Sequence, residues 1–194
     1  KIIMISAILL AAGQSKRMGG ENKLTKKIKD IPLIKHSIKN ILASSIDELI
    51  IVLGHQKEVI EKHIDKNKKI KIIYNENFEK GMSSSIKLGL NHLSKNTEAF
   101  FICLGDMPFV DKNTYDQLIK SKNKKKIIIP SYKGQKGNPV LFSKLMKEKV
   151  LLVQGDTGAK KIIEENKNEI LKLEINDLGI IKDFNTAENF SYKD

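Results

Sequence analysis

Residues 7–24 read Ala7-Ile8-Leu9-Leu10-Ala11-Ala12-Gly13-Gln14-Ser15-Lys16-Arg17-Met18-Gly19-Gly20-Glu21-Asn22-Lys23-Leu24, and this stretch decides the fold. Residues 5–11 form an apolar run of strand length and read as a buried strand. The run ends in small residues, the backbone turns at Gly13, and two cations follow six positions apart, Arg17 and Lys23. Small residues expose backbone N–H groups, which gather into anion-binding nests. Arg17 adds a planar fork that matches phosphate oxygens, and Lys23 adds a point charge. A strand followed by such a loop suits a triphosphate.

Neither common phosphate loop is present. The spacing Gly-x-x-x-x-Gly-Lys-Ser/Thr is missing, and so is Gly-x-Gly-x-x-Gly opening straight into a helix. The next helical pattern starts only near Pro32, with apolar positions 33, 34, 38, 41 and 42 on one face.

Outward from the loop, strand and helix signals alternate. Strands are expected at 49–53, 70–74, 99–104, 127–129, 140–142, 169–175 and 180–184. Helices are expected at 57–64, 83–93, 114–120, 144–149 and 158–165, with a last one near Thr186. Such alternation indicates an α/β fold: one Rossmann-like three-layer domain, residues 1–194, with a mostly parallel sheet. Ligands in such sheets bind beyond the carboxyl ends of the strands. That rule gathers Ala12–Gly13, Gly54–His55, Asn75 and Gly105–Asp106 along one edge.

Composition narrows the class. The 194 residues are 40% hydrophobic, the size and make-up of one globular domain. No apolar run approaches the length of a membrane helix, so no membrane association is expected. Lys1 to Leu10 carries too short an apolar stretch for a signal peptide. The single cysteine, Cys103, lies in an apolar strand and reads as a core thiol; a cytoplasmic setting fits. The formal charge of +12 comes from lysines spread over helices and loops, with few aromatics among them, so no nucleic-acid surface is expected. Arg17 is the only arginine, which marks the planar fork in the loop.

Several further segments could carry chemistry. Asp106 follows the run Phe100-Phe-Ile-Cys-Leu104 and one glycine, where a carboxylate can hold Mg²⁺ together with phosphate oxygens. Asp183-Phe-Asn185-Thr186 puts Asp183 and Asn185 on one side of an extended segment, although Asn185 or Thr186 could equally cap a helix. Ser83, Ser84 and Ser85 open a helix; they can cap it, or their hydroxyls and the free N–H groups can meet a base edge or phosphate. Gly155-Asp156-Thr157-Gly158 stands at a helix start, where a ligand or an aspartate cap fits equally well. His36, His63 and His92 fall on helices with no metal spacing.

The string Leu-Ala-Ala-Gly-x-Ser-x-Arg-Met-Gly-x-x-x-Lys resembles the signature of the molybdenum cofactor nucleotidyltransferase family. The resemblance extends in order through Gly81-Met-Ser-Ser-Ser85, Gly105-Asp-Met-Pro108, Gly137-Asn-Pro-Val140, Gly155-Asp-Thr-Gly-Ala-Lys160 and Asp183-Phe-Asn-Thr-Ala-Glu188. It implies a fold of the nucleotide-diphospho-sugar transferase type. It implies nucleotide binding by Leu10, Ala11, Ala12, Gly13, Arg17, Lys23, Ser83, Ser84 and Ser85, with Arg17, Lys23 and Asp106 catalytic. It implies Mg²⁺ on Asp106 and on the Asp183–Asn185 segment, with either Asp183 or Asn185 as the residue that touches the metal, and acceptor binding by Asn138, Asp156 and Gly158. Leu-Ala-Ala-Gly and Gly-Met-Ser-x-Ser resemble the cytidylyltransferase branch, so the implied substrates are CTP and Mo-molybdopterin. The implied protein partner is a molybdenum hydroxylase apoenzyme in transient contact. Asn138 stands where the family usually has histidine, and Lys160 where it has arginine, which bears on the acceptor. Another phosphate acceptor, GTP in place of CTP, or a non-catalytic carrier of the cofactor are the alternatives.

Overall fold

The computed structural model describes residues 3–15 and 21–184. In chain order its elements are β1 (Met4–Ala11), β2 (Lys27–Ile28), β3 (Ile31–Pro32), α1 (Leu33–Ala43), β4 (Glu48–Leu53), α2 (Lys57–Glu61), β5 (Ile70–Tyr74), α3 (Met82–Asn91), β6 (Thr97–Leu104), α4 (Lys112–Lys120), β7 (Ile127–Tyr132), β8 (Gln135–Lys136), β9 (Val140–Ser143), α5 (Lys147–Val150), α6 (Lys160–Glu165) and β10 (Ile170–Glu174). Short 3₁₀ turns lie between them, among them Lys23–Thr25, Phe78–Lys80 and Leu178–Ile181.

The main sheet runs in the order β10-β7-β9-β6-β1-β4-β5, with β8 paired to β7. β1 is parallel to both β4 and β6, and β4 to β5, as the alternation predicts. β9 is antiparallel to both its neighbours, β6 and β7. It therefore separates two parallel groups of strands while keeping their direction the same.

Period-two alternation divides the core between the two faces of the sheet. Ala7, Leu9 and Ala11 of β1 pack with Leu33, Ile34, Ile38 and Ile41 of α1 and with Leu118 of α4. Ile8 and Leu10 pack on the opposite face with Ile86 and Leu90 of α3 and Ile162 of α6. α3 approaches β1 closely at Gly89, where an added Cβ would stand 2.5 Å from Ile8 Cγ2. Fully burying a Leu or Ile is worth roughly 1.5–3 kcal/mol. Stability therefore rests on these central layers, and the loops at the strand ends are left to bind.

The helix ends follow local chemistry. Pro32 stands at the N-cap of α1. Ser44 closes that helix by donating its hydroxyl proton to Ile41 O at 2.6 Å. Asp111 caps α4 by accepting from Asn113 N at 2.7 Å, so the helix starts earlier than 114.

Three expectations change. Residues 180–184 form no strand: Asp177 accepts from Gly179 N and caps a 3₁₀ turn, from which Ile180 enters the core. The helices expected at 57–64, 144–149 and 158–165 shrink to the five-residue α2, to a 3₁₀ turn plus the four-residue α5, and to the six-residue α6. The small β2–β3 hairpin and β8 were not anticipated. The helix expected near Thr186 lies outside the described residues.

Candidate active site

The strands around β1 end level. Ala11 pairs with Leu53, Leu53 with Tyr74, and Leu10 with Leu104. Ala12, Gly54, Asn75 and Gly105 therefore leave the sheet side by side. From β1 the chain builds outward through β4 to β5, then returns to β6 on the other side. This is the switch point at which open α/β sheets bind ligands. A cavity of about 750 Å³ lies there. One side is made by Leu10 to Ser15, Lys23, Leu24 and Leu104 to Asp106, the other by Phe78 to Met82, Ser85, Gly155 and Asp156, and Asp183 also lines it.

Gly105 is held by donating to Leu10 O at 3.0 Å and by accepting from the Ser37 hydroxyl at 3.1 Å. This fixes the backbone from which Asp106 projects. Across the cavity mouth, Asn22 Oδ1 accepts from Leu24 N, and Lys23 N donates to Ser15 Oγ at 3.2 Å. Lys23 is thereby tied back to the first loop. Its ammonium reaches Asp106 Oδ2 at 2.5 Å, with side-chain exposures of 18% and 16%. Phe184 N donates to Asp106 O at 2.9 Å, which brings Asp183 to the same cavity. Residues 83 apart in sequence thus meet over the ends of β1 and β6. Arg17 and Asn185 lie outside the described residues.

Asn75 organises the far side. Its amide donates to Ser84 Oγ at 2.8 Å and to Ser85 Oγ at 2.9 Å, while its oxygen accepts from Asn77 N. Of the three serines, Ser85 lines the cavity, Ser83 is buried, and the Ser84 hydroxyl has Gly81 O and Asn77 O as acceptors. The first N–H groups of α3 are not free. Met82 N donates to Asp156 Oδ1, Ser83 N to Gly155 O and Ser84 N to Gly81 O. This corrects the expectation that they stand open to a base or phosphate.

The remaining segments are also located. Asp156 lines the cavity and caps α3 rather than the helix that follows it. Gly158 packs beside Met82 Sδ, and Asn138 donates its backbone N–H to Ile180 O at 2.8 Å; neither lines the cavity. His36 and His92 bond backbone carbonyls of Ile28 and Leu88. Burial pushes the Cys103 thiol well above its ordinary pKa, against the pull of its hydrogen bond to Tyr115. A buried neutral thiol is a core group and not a nucleophile.

Sequence reasoning placed Asn75 on this edge without giving it a role, and it overlooked Phe78 to Lys80. An asparagine at a strand end is a detectable signal. Phe78 to Lys80 carry none, because their place depends on how the chain returns to α3.

Asp106 and Asp183 offer hard oxygen donors on one cavity. Two carboxylates, with phosphates completing the shell, suit Mg²⁺ or a similar ion better than zinc. The Lys23 ammonium already on Asp106 shows that this carboxylate attracts a cation. Among the described residues no three His, Cys, Asp or Glu side chains cluster as a complete metal cage. No described helix is long and apolar enough to cross a membrane.

Residues 7–170 match the model of the MobA-like NTP transferase domain. Among curated proteins, the "Probable molybdenum cofactor guanylyltransferase" of Methanosarcina mazei is 27% identical over 172 residues, covering 86% of this chain and 71% of that protein. The bifunctional protein GlmU of Syntrophomonas wolfei is 24% identical over 152 residues, covering 74% of this chain but only 32% of its own length. Among solved structures, Rv0371c of Mycobacterium tuberculosis superposes with a TM-score of 0.86 at 20% identity, covering 97% and 96% of the two chains. Its complex with manganese superposes with a TM-score of 0.76 at 18% identity, covering 90% and 89%. These structures share the fold. With the family model matched over most of its length, the chain belongs to the MobA-like NTP transferase domain family and is a nucleotidyltransferase.

Proposed function

We propose that this protein transfers CMP from CTP to the terminal phosphate of Mo-molybdopterin, giving molybdopterin cytosine dinucleotide and pyrophosphate. The observation that carries the reading is the meeting of Lys23, Asp106 and Asp183 on one cavity at the switch point of the sheet. A cation and two carboxylates side by side suit a metal-bound triphosphate. A module that only stores a cofactor needs no such pairing.

The acceptor phosphate already carries close to two negative charges at neutral pH, because its second pKa is about 6. It needs no general base. Catalysis then consists of alignment and of charge neutralisation where charge develops. Leu10 to Gly13 receive the triphosphate at the end of β1, while Lys23 and Arg17 stabilise charge on the leaving pyrophosphate. Asp106, together with Asp183 or Asn185, would hold the divalent ion, which would supply Lewis-acid polarisation of the phosphates. The base lies along α3 near Ser85. The resemblance implies Asn138, Asp156 and Gly158 for the acceptor; Asp156 lines the cavity but its carboxylate is engaged by Met82 N of α3, so contact with the acceptor is assigned to Asn138 and Gly158. The product then passes to a molybdenum hydroxylase apoenzyme.

Leu10-Ala-Ala-Gly13 and Gly81-Met-Ser-Ser-Ser85 support cytosine. GTP is the second reading, favoured by the guanylyltransferase name of the methanosarcinal relative. Pyrophosphate release from CTP, GTP, ATP and UTP, with and without Mo-molybdopterin and with Mg²⁺ present, tests both. Pterin-dependent release from CTP is expected. Release from GTP alone overturns the base choice, pterin-independent release overturns the acceptor, and no release from any nucleotide supports the carrier.

A further inference from the structure

We propose that Asp156 and Gly155 form a clamp that positions the nucleotide wall of the cavity, and that Asp156 acts through α3 and not on the acceptor. This rests on reading the cavity as the nucleotide site.

Four observations converge on the clamp. Asp156 Oδ1 accepts from Met82 N at 3.0 Å, and Gly155 O accepts from Ser83 N at 3.0 Å. Two of the first N–H groups of α3 are therefore satisfied by a segment more than 70 residues away. Gly81 has φ +90°, and an added Cβ would stand 2.8 Å from Gly155 O, so the two backbones touch. Gly158, at φ +57°, leaves room for Met82 Sδ, which a Cβ would approach to 2.8 Å. Gly81, Met82, Gly155 and Asp156 all line the cavity, as does Ser85 one turn further along α3.

A helix end capped by the residues that flank it keeps its position when a distant loop moves. This one does not, because its cap belongs to the segment leading into α6. Opening the clamp unpairs Met82 and Ser83 and loosens the first turn of the helix, leaving Asn75 alone to hold Ser85. Asp156 is thus a positioning residue whose contribution is a hydrogen bond to a helix N-terminus. Asparagine supplies that bond nearly as well as aspartate, and alanine does not.

The test compares Asp156→Asn, Asp156→Ala and Gly81→Ala with the wild type, using the nucleotide and acceptor that the wild type turns over. KM for each substrate, kcat, and hydrogen exchange at the Met82 and Ser83 amides are measured. Asp156→Ala is expected to raise the nucleotide KM about five- to tenfold, the size of one lost capping bond, with kcat and the acceptor KM within about twofold. Both amides should exchange faster, and Gly81→Ala should act in the same direction. Asp156→Asn should stay within about twofold of wild type in every readout. An unchanged nucleotide KM in Asp156→Ala, a rise confined to the acceptor KM, or an Asn variant as impaired as the Ala variant overturns the clamp. A wild type inactive towards every nucleotide overturns the proposed function itself, and the clamp's part in it falls with it. An active wild type with undisturbed variants overturns the clamp alone.

Discussion

The two walls of the cavity are built by different physics. The wall at the ends of β1 and β6 carries charge, with Lys23 on Asp106 at 2.5 Å and both largely shielded from water. Its backbone belongs to the central ladder of the sheet, where Leu10 and Leu104 are paired. The opposite wall, α3 with residues 155–158, presents a carboxylate whose oxygen is engaged by a helix N–H, backed by a neutral net of Asn75 and two serines. It is held by hydrogen bonds between distant segments and turns through glycines at positive φ. Reaction chemistry needs fixed charges in a water-poor setting, and the sheet supplies both. The helix wall supplies neither, because its first N–H groups are already spent on Gly155 and Asp156.

The largest effect should come from the charged wall. Asp106→Ala should lower transfer on the order of 10³-fold or more at saturating Mg²⁺, measured by pyrophosphate release. An active variant would remove the charged wall from the chemistry and collapse the contrast. Lys23→Ala should cost about 10²–10³ in kcat/KM, visible mostly in kcat, because charge on the leaving group grows in the transition state. A loss confined to KM would make both walls binding surfaces.

Smaller effects belong to the helix wall. Asn75→Ala leaves Ser84 and Ser85 without a common donor at a buried site. It should destabilise the protein by about 1–3 kcal/mol and raise the nucleotide KM, with kcat nearly preserved. Thermal unfolding beside kinetics separates the two consequences. Gly89→Ala lies outside both walls and forces a Cβ against Ile8. It should cost about 1–3 kcal/mol of stability with little change in KM. Cys103 should show the least: a thiol whose pKa burial has raised resists alkylation in the folded protein, measured with a thiol reagent before and after unfolding.

The contrast between the walls is also a contrast in legibility. The charged wall could be read from the chain because Ala12–Gly13 and Gly105–Asp106 directly follow apolar strands, with Lys23 on the loop after the first. Strand ends in a parallel sheet meet at one edge whatever the loops do. Ala12, Gly54, Asn75 and Gly105 fall where that rule puts them. The clamp was hidden because an aspartate before a helical pattern reads as the cap of its own helix, while Asp156 serves α3, 74 residues earlier. The direction of β9 was equally hidden: Val140 to Phe142 is apolar enough for a strand, but side-chain pattern carries no sign of parallel or antiparallel pairing. Residues 180–184 mislead for a related reason, since Ile180 needs burial and a 3₁₀ turn buries it as well as a strand would.

The ion pair between Lys23 and Asp106 has a consequence for the order in which ligands arrive. Each member is the natural counterpart of one incoming species, the ammonium for a polyanion and the carboxylate for a cation. A polyanion that draws Lys23 away leaves Asp106 exposed to a cation, and a cation that takes Asp106 releases Lys23 to a polyanion. Because linkage is reciprocal, each ligand strengthens the other by the same factor. Until both arrive, each member of the pair is neutralised by the other.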